Sequence, residues 1–128
     1  MRSFIDLLAI KTPSIENPIM NLSGGNQQKV MIARWLAAKV RVLIVDEPTQ
    51  GVDVGEKAEI HKLLRELAGQ GVAVVVISSD LPEVLSISER ILIMRSGEIV
   101  GEPESGVASE ERIMKMATVG RDSLGGCP

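Results

Sequence analysis

Apolar strand-length runs alternating with capped amphipathic helices predict an α/β fold built on a mostly parallel sheet. Three observations carry this. Val42-Leu-Ile-Val45 and Val72–Ile77 are continuous apolar runs, as expected of parallel strands covered on both faces. Between them, Asp53 with Glu56 three residues later forms a capping-box signature that opens a helix running to about Ala68. The connections between these elements are short, as compact βαβ units require.

Taken in order, Phe4, Ile5, Leu7, Leu8 and Ile10 give residues 1–11 the pattern of a short amphipathic helix, stopped by Thr12-Pro13-Ser14. Residues 13–22 hold two prolines and two asparagines and read as a loop; a surface helix and a linker account for this opening. Ser23 is a favourable N-cap for a helix over residues 23–39, and Gly24 and Gly25 leave its first turn without side chains. Pro48 ends the first strand, and Thr49–Gly55 is a turn region. Ile60, Leu63, Leu64 and Leu67 form the buried stripe of the next helix, which Gly69 and Gly71 terminate. Asp80-Leu-Pro-Glu83 is a second N-terminal signature, for a short helix to about Ile87. Arg90–Met94 and Glu98–Val100 flank Ser96-Gly97 as a hairpin. Ser109 caps a last helix to about Ala117, and Gly120–Pro128 reads as a disordered tail.

The totals exclude several functions. The chain has 128 residues, 45% of them hydrophobic and 24% charged, which suits one domain with a modest core. A net charge of -3, one Trp, one Phe and no Tyr leave neither a basic surface nor a stacking platform for nucleic acid. The single Cys127 cannot form an internal disulfide, which fits a reducing compartment. No apolar run approaches the roughly 18 residues of a membrane span, and Asp6 interrupts the opening apolar stretch, so no signal peptide is read there.

Two places could carry chemistry. The first turn of a helix presents unpaired N–H groups and the positive end of the macrodipole, so a phosphate can approach Ser23-Gly24-Gly25. The apolar strand ending in Asp46-Glu47 delivers two carboxylates to the carboxyl edge of a sheet, where open α/β folds bind ligands. One could hold a metal ion through water while the other faces an attacking water; two solvated carboxylates at a strand end is the plain alternative. His61, the only histidine, reads as a helix-surface or partly packed residue.

Together these stretches resemble a known family. Leu22-Ser-Gly-Gly-Asn-Gln-Gln is similar to the signature sequence of ABC transporter ATPases, Val42–Pro48 to their Walker B strand, and Gln50-Gly-Val-Asp53 to their D-loop. The resemblance runs from about Ser14 to Ala117. Asn26, Thr49–Gly55 and Ser78-Ser-Asp-Leu-Pro-Glu-Val-Leu85 are similar to the second nucleotide-binding half of sugar-importer ATPases of the ribose, galactose and xylose type. The resemblance implies a partial P-loop NTPase fold with flanking helices and a small C-terminal hairpin. It implies residues 1–40 as part of a helical signature subdomain and 41–118 as the C-terminal part of the ATPase core, with 119–128 as the tail.

It also implies roles. Ser23, Gly24, Gly25 and Gln27 would meet ATP held by an opposite nucleotide-binding domain. Asp46 would hold Mg2+ through water, Glu47 would orient or deprotonate the attacking water, and Asp53 would couple the two sites. Implied partners are that second domain, transmembrane permease subunits and, indirectly, a sugar-binding protein. The implied location is the cytoplasmic face of the plasma membrane.

Two departures qualify this. The family's γ-phosphate-sensing histidine falls on Ser79, which can donate one hydrogen bond but carries no charge. No Gly-x-x-x-x-Gly-Lys-Ser/Thr run is present, and no glycine is followed by lysine. The chain therefore corresponds to the C-terminal part of a nucleotide-binding domain, with exposed strand edges and marginal stability expected. Two other readings stand beside a sugar-importer ATPase: a non-enzymatic remnant, and a non-transport ABC ATPase.

Overall fold

The computed structural model describes residues 2–104 and 106–119; the Gly120–Pro128 tail lies outside them. The chain forms two compact units, residues 1–78 and 79–128.

In the first unit, α1 (Arg2–Leu7) is shorter than its apolar pattern predicts. Ala9 turns the chain at φ 48°, and the Ile10 N–H reaches back to the Ile5 carbonyl. This tucks Leu8 and Ile10 inward beyond the helix end. A single 3-10 turn, Ile19–Asn21, precedes α2 (Gly24–Ala37). The Lys39 backbone at φ 53° ends α2 two residues before the expected boundary. β1 (Val42–Asp46) pairs in parallel with β2 (Ala73–Ile77), joined through α3 (Val54–Gly69). Ile44 lies opposite Val75, and Asp46 opposite Ile77.

The α3 stripe Ile60, Leu63, Leu64 and Leu67 is buried throughout, with Ile32 and Ala33 of α2 and Leu43 and Val45 of β1. Gly71, at φ 94°, makes the turn from α3 into β2. Only one face of this sheet is covered, which corrects the expectation of strands buried on both sides. Leu43 is 3% exposed whereas Ile44 is 63% exposed. Val42, Val75 and Ile77 are also exposed. Alternate side chains of an all-apolar strand thus meet water.

The second unit carries α4 (Leu81–Ile87), a hairpin of β3 (Ile93–Arg95) and β4 (Glu98–Gly101), and α5 (Glu110–Val119). β3 starts three residues later than expected. The Arg90 guanidinium instead pairs with the Glu102 carboxylate, one bond being Nη2 to Oε2 at 3.1 Å. The register slips between Ile93 and Met94. Ser96 and Gly97 both have positive φ, 50° and 82°, as a two-residue primed turn demands. Among the described residues of this unit, Ile93, Pro103 and Ile113 are buried.

Candidate functional site at the start of α2

Ser23 caps α2 as expected: its Oγ accepts the Asn26 N–H at 3.3 Å. The same oxygen accepts the Asn26 side-chain Nδ2–H at 2.8 Å. Asn26 is itself buried and fixed, because its Oδ1 accepts the Lys11 N–H at 2.9 Å. The hydroxyl's single proton is donated to Oε1 of Glu56, 33 residues later in the chain. Ser23 Oγ is thus fully engaged, two hydrogen bonds accepted and one donated.

The other oxygen of Glu56 accepts the Gly25 N–H at 3.2 Å. Gly25 is glycine for a reason visible here. A Cβ at that position would stand 2.7 Å from both Cβ and Oε2 of Glu56, which leaves no room for it. A Cβ on Gly24 would lie 3.3 Å from the Gly51 carbonyl oxygen, so the Thr49–Gly55 turn also packs against this helix start. The first turn of α2 has no acidic residue of its own. Glu56, in the first turn of α3, supplies a negative charge at two helix N-termini at once.

This corrects the capping-box reading of Asp53 and Glu56. Its first half holds, since Asp53 caps α3 by accepting the Glu56 N–H at 2.9 Å. Its second half does not, because the Glu56 carboxylate crosses to α2 instead of returning to Asp53. Nothing in the local pattern distinguishes these outcomes; the long-range pairing of the two helix starts decides it. Gln27 lies one turn into α2, its Nε2 donating to the Leu22 carbonyl at 3.0 Å.

Lys29 is a second residue that the sequence reading missed. It is 3% exposed, and its ammonium binds the Glu59 carboxylate and the Ala9 carbonyl, the latter at 3.3 Å. This pair fastens α2 to α3 and to the turn after α1, and so fixes the two helix starts that meet at Glu56. The Lys29 hydrogen bond and charge hold the Glu59 carboxyl below the usual carboxylate range.

Asp46 and Glu47 stand at the carboxyl end of β1, Asp46 exposed and Glu47 half-buried. Glu47 has φ 47°, a conformation uncommon for a non-glycine residue. Its N–H still bonds the Ile77 carbonyl at 2.8 Å, which extends the ladder by one residue. The left-handed turn then sends Pro48 and Thr49 inward, where both are buried. A hard cation that keeps water ligands and needs one or two carboxylates fits Asp46. Among the described residues no group of three or more His, Cys, Asp or Glu is gathered for a metal. Ser79 is exposed and lies just before the Asp80 cap of α4, where the Glu83 N–H meets Asp80 Oδ1 at 3.1 Å. His61 is half-buried on α3.

Comparison with known proteins matches residues 2–50 to the ABC transporter family. The chain is 54% identical over 110 residues to an arabinose import ATP-binding protein of Mannheimia succiniciproducens, covering 86% of this chain and 22% of that protein. It is 50% identical over 125 residues to a ribose import ATP-binding protein of Rubrobacter xylanophilus, covering 98% of this chain and 25% of that protein. The chain thus spans about a quarter or less of the length of these relatives. Among solved structures it is similar to a dimeric ATP-binding cassette in a post-hydrolysis state bound to ADP and Pi. The TM-score is 0.70 at 30% identity, covering 80% of this chain and 44% of that one.

Proposed function

We propose, for a chain that carries part of an ABC transporter ATP-binding domain and is homologous to sugar import ATP-binding proteins, that it supplies the signature half of an ATP site. That site belongs to the ATPase of an importer that takes up a monosaccharide. The observation that supports this reading most is the convergence of Ser23 Oγ–H and the Gly25 N–H on the two oxygens of one carboxylate. Two donors at a helix start, spaced to hold two oxygens of one anion, suit a terminal phosphate.

In this reading Ser23 and Gly25 donate to the γ-phosphate of ATP held by a second nucleotide-binding domain, with Gly24 leaving room for its approach. Gln27 braces the turn by holding the Leu22 carbonyl. Phosphoryl transfer needs positioning and charge stabilisation, and these donors provide both. Asp46 holds Mg2+ through water, an ion that neutralises phosphate charge when bound. Glu47, at the bend after β1, orients or deprotonates the attacking water in this domain's own site. Asp53 sets the start of α3 and so couples the two sites. Residues 1–40 belong to the signature subdomain and 41–118 to the ATPase core.

Ser79 cannot supply the positive charge of a histidine, so the site completed by this signature is the one that turns over. No described helix is long and apolar enough to cross a membrane. Attachment to the cytoplasmic face of the plasma membrane comes through permease subunits, which also receive sugar from a binding protein.

The test compares Ser23→Arg with Glu47→Gln in the assembled ATPase. Ser23→Arg lowers turnover about 100-fold or more, the scale of losing a transition-state donor. Glu47→Gln lowers it much less. Loss of turnover with Glu47→Gln alone contradicts the proposal.

A further inference from the structure

We infer that Glu56 is a built-in occupant of the signature turn, and that its carboxylate must swing out before Ser23 and Gly25 can serve a phosphate. This rests on the reading that those two groups face ATP. Three observations carry it. Ser23 has one proton, and that proton is donated to Glu56 Oε1. The Gly25 N–H is donated to Glu56 Oε2. The other capacity of the Ser23 hydroxyl is taken by Asn26, through its backbone N–H and its Nδ2–H. A phosphate oxygen cannot be added to this arrangement; it has to replace the carboxylate.

Charge makes the replacement all-or-none. A carboxylate and a phosphate on adjacent donors repel, and the field of two helix N-termini holds one anion at a time. The geometry also provides the exit. Glu56 is anchored to α3 by its backbone, through its N–H on Asp53 Oδ1 at 2.9 Å. Rotation of the side chain alone frees Ser23 and Gly25 while the Asp53 cap of α3 stays made. The turn holding Asp53 also presents the Gly51 carbonyl to Gly24, so a shift of this turn moves the latch and the signature together. Apparent ATP affinity is then lowered by the fraction of time the turn is closed.

The latch predicts a change of opposite sign to a purely structural cap. In the assembled full-length ATPase, Glu56→Ala lowers the KM for ATP about 5- to 10-fold at nearly unchanged kcat. Glu56→Gln, which keeps the shape of the side chain and removes its charge, lowers KM by a smaller factor. Glu66→Ala, on the exposed side of the same helix, leaves KM unchanged. If Glu56→Ala fails to fold by its thermal melt, the Glu56→Gln result decides. A KM that is unchanged or raised in the Glu56 variants, while Ser23→Arg abolishes turnover, overturns the latch and leaves the signature reading intact. A Ser23→Arg protein with normal turnover overturns both.

Discussion

The ammonium of Lys29, buried on α2, is held by the carboxylate of Glu59 on α3, which stays partly open to water. Lys29 cannot reach solvent without pulling away from Glu59 and the Ala9 carbonyl. Neutralising Glu59 leaves the buried ammonium with neutral acceptors only. Glu59→Gln is expected to cost about 1–2 kcal/mol, discounted for the exposed side of the pair. Denaturant unfolding of the two proteins at pH 7 measures it.

The same pair sets a pH dependence. Lys29 holds the folded-state pKa of Glu59 below its ordinary value of 4.5. A group whose pKa falls on folding contributes stability above its unfolded pKa and loses it as pH falls through the folded value. The stability difference between wild type and Glu59→Gln is therefore full at pH 7 and shrinks as pH falls below the ordinary carboxylate range through the lowered folded-state value. A difference that persists undiminished at pH 3 assigns the stabilisation to packing instead.

The sheet predicts a strong alternation. Leu43→Ala removes a buried side chain and costs about 2–4 kcal/mol. Ile44→Ala, one residue later on the open face, costs less than about 0.5 kcal/mol in the isolated chain. Ile44→Lys in that chain is expected to reduce aggregation, because it breaks the exposed apolar row formed with Val42, Val75 and Ile77. Light scattering during refolding reports this.

Gly25→Ala should destabilise the α2–α3 junction by about 1–3 kcal/mol, because the new methyl meets Glu56 Cβ as well as its carboxylate. Adding Glu56→Ala then restores little of the loss, since Cβ remains. Full restoration in the double variant places the clash at the flexible carboxylate alone. Urea unfolding of the single and double variants distinguishes the two.

The legible parts of this chain were the local ones. Ser23, Asp53 and Asp80 each cap a helix within their own turn, so spacing of a few residues was enough to place them. The α3 stripe and the positive-φ turn at Ser96-Gly97 were legible for the same reason. Illegible were features decided across the chain. Glu56 had an orthodox partner three residues away, and only the meeting of two helix starts sends it to Ser23. Lys29 gave no sign of burial, because its partner lies on another helix. The open face of β1 was illegible because an all-apolar strand reads the same whether one or both of its faces are covered. Of the candidate site, the helix start and the strand-end carboxylates were readable; the anion already seated on that helix start was not.

The most direct measurement is steady-state ATP hydrolysis by the assembled ATPase in which only the Ser23 hydroxyl is removed, by Ser23→Ala, with the second domain intact. Loss of this donor to the phosphate of the opposite domain predicts a fall in kcat of about 100-fold or more. A kcat within about twofold of wild type, in a complex that still assembles, would contradict the assignment of the α2 start to an ATP site completed across the domains.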